Sequence, residues 1–187
     1  MHRIARAASL GLALAITGCV GSLYAVWSGP DMMMDRRLIG TWKDSTGNDW
    51  YEVSASGPFT YRIVMHDDSG RIGRFQGQLG RIGDRLVLDV QPDVTVLNTP
   101  DMYTGLLQPL HGFITIDNLD TRPRLAVLNP DSLKQYMVAH PGAIRGDTLT
   151  AGVVLSAAPA PLKTFLAAYL RRPGVLGDPA TFVRRGP

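Results

Sequence analysis

Few residues in this chain of 187 are placed to do chemistry. Nucleophilic catalysis needs a hydroxyl or thiol beside a base in a defined turn, yet neither G-x-S-x-G nor S-x-x-K occurs. The single cysteine, Cys19, stands in a segment without charge. Gly-Arg-Ile-Gly occurs at 70–73 and again at 80–83, but no Lys-Ser/Thr follows either copy. Both coincide with expected hairpin turns, so these are turn glycines rather than a phosphate cradle. His66-Asp67-Asp68 supplies metal-ligand types, but strand alternation sends neighbours to opposite faces, and Asp-Asp-Ser-Gly is turn chemistry. His111 and His140 have no second ligand two or four residues on. The spacing therefore implies no metal, no cofactor and no catalytic residue, and the expectation is a protein that is not an enzyme.

Glu52 is the only glutamate. If Tyr51 and Val53 face the core, Glu52 is solvated; if Trp50 does, Glu52 points inward as a polar contact in a ligand pocket. The sequence leaves both registers open. A partnership of Glu52 with Asp89 or Asp93 has no spacing argument behind it.

The elements that position these groups begin with an address. Arg3 and Arg6 precede an uncharged stretch from Ala7 to Cys19, the basic and apolar regions of a secretory signal. The stretch ends in Ile16-Thr17-Gly18-Cys19, which resembles the lipobox of bacterial lipoproteins. That resemblance implies removal of 1–18, acylation of the Cys19 thiol and amine, and stable anchoring by two or three chains. The uncharged run continues to Trp27, so an uncleaved signal anchor is the alternative, although Gly11, Gly18, Gly21, Ser9 and Ser22 dilute its hydropathy. The same resemblance to lipoproteins, in which an Asp after the cysteine retains the protein at the inner membrane, implies from Val20 an outer-membrane destination with the domain in the periplasm.

The formal charge is +3, from 19 basic and 16 acidic residues. Cleavage removes Arg3 and Arg6, leaving 17 basic residues against 16 acidic ones. No run exceeds two basic residues, so nucleic acid is not an expected partner.

Three segments follow: a signal peptide over 1–18, a tether over 19–37 and a β domain over 38–187. Val20 to Met34 reads as a linker around Gly29-Pro30. From Leu38 to Val90, period-two apolar patterning broken by turn residues predicts a meander with strands at 38–43, 50–54, 59–66, 72–79 and 86–90. The segment 91–110 lacks a clean period and is expected to form a flap, with Tyr103, Leu106 and Leu107 as candidate ligand contacts beside Glu52. Strands are expected at 112–119, 124–128, 149–155 and 180–184. Asn129-Pro130 starts one helix, and Pro161 starts a longer one whose last turn holds Arg171 and Arg172.

Gly40-Thr41-Trp42, at the start of the first predicted strand, resembles the G-x-W signature of lipocalin-like barrels. The resemblance implies that Trp42 plugs the closed end and that a late arginine, Arg184 or Arg185, packs across its ring. Gly40, Trp42 and Arg184 are then a structural barrel signature rather than a reactive site. The expected fold is α+β and mainly antiparallel β, a lipocalin-like barrel with two helices in its C-terminal half. The function expected is that of a membrane-anchored envelope lipoprotein binding an apolar small molecule or lipid, the alternative being an assembly factor that docks a partner protein.

Overall fold

Turn chemistry sets the meander. Asp67 accepts the backbone N–H groups of Ser69 and Arg71, Gly70 takes φ +79°, and Gly83 takes φ +63° in the two-residue connection between Ile82 and Arg85. The computed structural model describes residues 19–97 and 107–186. Strands β2 (Gly40–Asp44), β3 (Trp50–Ala55), β4 (Thr60–His66), β5 (Ile72–Ile82), β6 (Arg85–Pro92), β7 (Gly112–Asp117) and β8 (Arg124–Val127) pair in sequence. The chain then leaves through helix α1 (Pro130–Ala139), hairpin β9 (Gly146–Leu149) and β10 (Gly152–Leu155), and helix α2 (Pro159–Tyr169). It returns as β11 (Ala180–Arg184), which pairs with β8 and β2 and closes an eight-stranded antiparallel barrel. This is the expected α+β lipocalin-like barrel, with both helices inserted before its last strand.

Alternation along the strands creates two cores. Tyr61, Ile63, Leu79, Leu86, Leu88 and Ile116 fill the barrel together with Leu38 and Leu119. Outward-facing Ile82, Val87 and Phe113 instead pack beneath the helices and β10, where Leu133, Val153, Leu155, Leu162, Leu166 and Tyr169 are buried. The polar outer face expected of such a sheet is thus replaced on one flank by a second apolar layer.

The linker expected over Val20–Met34 is corrected. Cys19–Ser22 forms strand β1, parallel to β10, and Ser22 forms a bridge with His111. Val26 and Trp27 are 2% and 3% exposed, the Val26 N–H donates to Asp89 Oδ2 (2.8 Å), and the Trp27 indole donates to the Val87 carbonyl (3.1 Å). Met33 N–H then pairs with Leu79 O, one residue beyond the point where β4 begins opposite Gln78. Burial of apolar groups outweighs the breaks at Gly29 and Pro30. Gly80 is corrected with it: the residue sits within β5 rather than in a turn, and a Cβ there would lie 2.7 Å from the Trp27 ring.

The strand expected over 149–155 is a hairpin. It turns at Thr150-Ala151 so that Gly152, at φ +146°, leaves room for the Cys19 carbonyl. Asn129 caps α1 as expected, accepting the N–H groups of Asp131 and Ser132. Helix α2 starts at Pro159 and ends at Tyr169, which puts Arg171 and Arg172 beyond its last turn. Arg172 lies over the Tyr136 ring instead, at 4.8 Å.

A clasp ends this packed segment, a strap over residues 20–34. Asp35 donates its N–H to Tyr61 Oη (2.7 Å), and its carboxylate receives the Arg37 backbone N–H and guanidinium, which continues to Asp120 at 2.5 Å. The side-chain hydrogen bond from Arg37 holds the Asp35 carboxyl below its usual 3.8 despite partial burial. A depressed folded-state pKa gives stability that is present above the unfolded value and lost as pH falls through the folded one. Asp35→Asn is therefore expected to lose less stability than the parent when urea unfolding is repeated from about pH 5 down to about pH 2. Equal acid slopes would show that the clasp is not a titrating element.

Candidate functional site

The closed end is assembled by the G-x-W segment. Trp42 is buried and donates its indole N–H to Leu38 O (2.8 Å), while the Arg184 guanidinium covers the ring at 4.5 Å and donates to the carbonyls of Ile39 and Arg37. Gly40 takes φ +142°, and a Cβ there would collide with Arg184 Nη1. Arg185, the other arginine of the pair, faces the opposite way and lies 4.5 Å over Trp50 on the outer wall. Each arginine thus caps one tryptophan, on opposite faces of one strand.

The register answers the question left open at Glu52. Tyr51 and Val53 pack against the barrel core, so Glu52 faces outward and is exposed, with Oε1 3.3 Å from His66 Nε2, too poorly aligned for a hydrogen bond. Its expected place in a ligand pocket is not adopted. His66 is stacked on Trp50 at 3.6 Å, which makes Trp50, His66, Arg185 and Glu52 one outer-wall cluster. Of the other candidate contacts, Leu107 is exposed on the segment entering β7, and Tyr103 and Leu106 lie outside the described residues.

The two ends of the barrel differ in cover. Toward the closed end, Tyr61 and Leu79 are fully buried and Leu88 is 6% exposed. Toward the other end, Tyr51, Met65, Phe75, Val90 and Ile114 share the inward parity but are only half-buried, and Val127 is exposed. Phe182 meets Tyr51 edge-on at 5.4 Å, and burial, with the nearby Asp49 and Asp44 charges, pushes the Tyr51 phenol up to about 12. An apolar mouth opens onto a filled base.

Sequence reasoning missed the outward face of β5 and β6. Asp89 is 3% exposed; one carboxylate oxygen accepts from Val26 N–H and the other lies 2.7 Å from His111 Nδ1. Thr60, Gln76, Gln78, Gln91 and Ala25 line a recess of about 200 Å³ with this pair. The signal was present in Gln76-x-Gln78 and Asp89-x-Gln91: spacing by two puts each pair on one face, and a turn at Gly83-Asp84 aligns the pairs across the hairpin. A second recess of about 260 Å³ lies at the closed end, between Arg37, Trp42, Asp120, Arg122 and Arg184.

Cys19 is exposed, with a free thiol, at the first residue of β1. No protein-family model, no curated protein and no solved structure matches the chain.

Proposed function

We propose that the protein is a non-enzymatic bacterial envelope lipoprotein, acylated at Cys19 and held at the outer membrane with its domain in the periplasm. Its barrel takes an apolar small molecule or acyl chain through the open end. The observation that carries this reading is the unfinished burial of Tyr51, Met65, Phe75, Val90, Ile114 and Val127 around the mouth. Apolar side chains left uncovered together are what an apolar ligand would remove from water, and an eight-stranded interior has room for one small ligand. The filled base limits the depth of entry to a short molecule or the end of a chain. Support for the anchor comes from the uncharged run leading to Cys19 and from the exposure of that thiol.

The packed base also supports a second reading, a structural lipoprotein whose barrel is only a scaffold and whose outer wall docks a partner protein. Native mass spectrometry of the full chain in detergent separates the two. A retained small molecule of defined mass, lost on Phe75→Asp, is the expected result; an empty barrel that co-purifies with one protein would leave the docking reading. Intact-mass and peptide analysis at residue 19 tests the anchor, because an unmodified thiol still joined to Met1–Gly18 would overturn it.

A further inference from the structure

We propose that the recess on the outer face of β4, β5 and β6 binds a single neutral sugar ring, presented by a glycan. The site is separate from the barrel mouth and does not depend on what the lumen holds. Gln78 stands directly across from Asp89 on one side and Thr60 on the other, and Gln76 stands across from Gln91. These side chains point away from the lumen, whose face is occupied by Leu79, Leu88 and Tyr61. Next along the same hairpin, Gly80 and Val87 are covered by Trp27, so the recess is the stretch that the strap leaves open.

Asp89 gives the recess a rigid floor. With one oxygen on Val26 N–H and the other on His111 Nδ1, the carboxylate is spent on holding the strap and the imidazole. A carboxylate facing Nδ1 holds a proton on that nitrogen and fixes the orientation of the ring. Around it stand three carboxamides and one hydroxyl, each able to donate and accept. Among the described residues, none of the three glutamine side chains has a hydrogen-bond partner.

That inventory selects the ligand class. An apolar group would strand several polar atoms out of water, a cost of about 1–3 kcal/mol each. A bound anion would meet no lysine or arginine among the lining side chains, and would face the Asp89 carboxylate behind them. An extended peptide cannot add to β5 or β6, because both strands already have neighbours on each side in a closed barrel. Vicinal hydroxyls, which donate and accept at short spacing and carry no charge, fit the carboxamides. The volume of about 200 Å³ falls below the roughly 300–1,000 Å³ of small-molecule clefts, which limits the site to one ring.

The test is a titration of the full chain in detergent with two neutral oligosaccharides, tetra-N-acetylchitotetraose and maltotetraose, followed by ¹⁵N-resolved NMR. The expected result is saturable shifts of the glutamine side-chain amides and the His111 ring with at least one of them. Combined Gln78→Ala and Gln91→Ala should raise Kd about tenfold or more, with the melting temperature unchanged. Silence at these groups with both sugars at millimolar concentration overturns the proposal, as does a Kd indifferent to the two substitutions. Neither outcome bears on acylation of Cys19 or on the lumen.

Discussion

Replacing Trp27 with alanine is expected to destabilise the protein by about 3–5 kcal/mol, the range for emptying a tryptophan-sized space in a core. The residue is 3% exposed, donates a hydrogen bond to the Val87 carbonyl and has the Lys163 ammonium 5.6 Å from its ring centroid. What makes the loss large is Gly80. The indole lies where a side chain at 80 would be, so truncation leaves a hole that no neighbouring Cβ can fill. The surroundings offer little relief, because Gly80 belongs to a strand hydrogen-bonded on both edges. Gly80→Ala probes the same contact from the other side and is expected to cost about 1–3 kcal/mol through overpacking. Denaturant unfolding of the two variants measures both. A Trp27→Ala loss under about 1 kcal/mol would mean that the strap contributes little and that residues 20–34 serve as a linker after all.

Cys19→Ser is expected to move the protein from the membrane to the soluble fraction. Each buried methylene of an acyl chain contributes about 0.8 kcal/mol, and two or more chains give the stable anchoring that one does not. The hydroxyl of serine leaves no thiol to carry the thioether. On that proposal β1, which includes Cys19 itself, would leave no spacer between the acyl chains and the folded domain. Leu149 is 51% exposed and lies two strand spacings away, about 10 Å, through Gly152. A fluorophore at Leu149→Cys should therefore be quenched by a quencher buried in the bilayer. A flexible Gly/Ser insert after Cys19 should keep the protein in the membrane fraction while relieving the quenching. Unquenched fluorescence in the anchored parent would show that the domain stands away from the surface.

Much of the barrel was legible because its causes are local. Period-two patterning, Asp-Asp-Ser-Gly and Gly-Asp turns, and the Asn129-Pro130 cap each act within a few residues, and the corresponding elements form where those signals lie. The closed end was legible through resemblance, since Gly40-Thr41-Trp42 matches a known signature that implies a late arginine across the Trp42 ring. The strap was not legible. Gly29-Pro30 and the triple methionine look like a linker because nothing within residues 20–34 reveals Gly80 or Asp89, which lie in strands far along the chain. The hairpin at 146–155 was hidden for the same cause: Gly152 is required by the Cys19 carbonyl, a partner from the opposite end of the described chain.

By itself, then, the sequence determined the meander and the helix starts, since each depends on neighbours in the chain, while the residues of the closed end followed from the resemblance carried by Gly40-Thr41-Trp42. Only the tertiary structure decided the side on which Glu52 faces, the partner of Asp89 and the burial of Trp27. A strand carries two faces of equal local standing, and long-range packing alone selects between them. The same selection fills the base of the barrel and leaves its mouth apolar and part-exposed. On the outer wall it brings His111 and Ala25 to the face on which the hairpin already aligns Gln76, Gln78, Asp89 and Gln91, completing one recess.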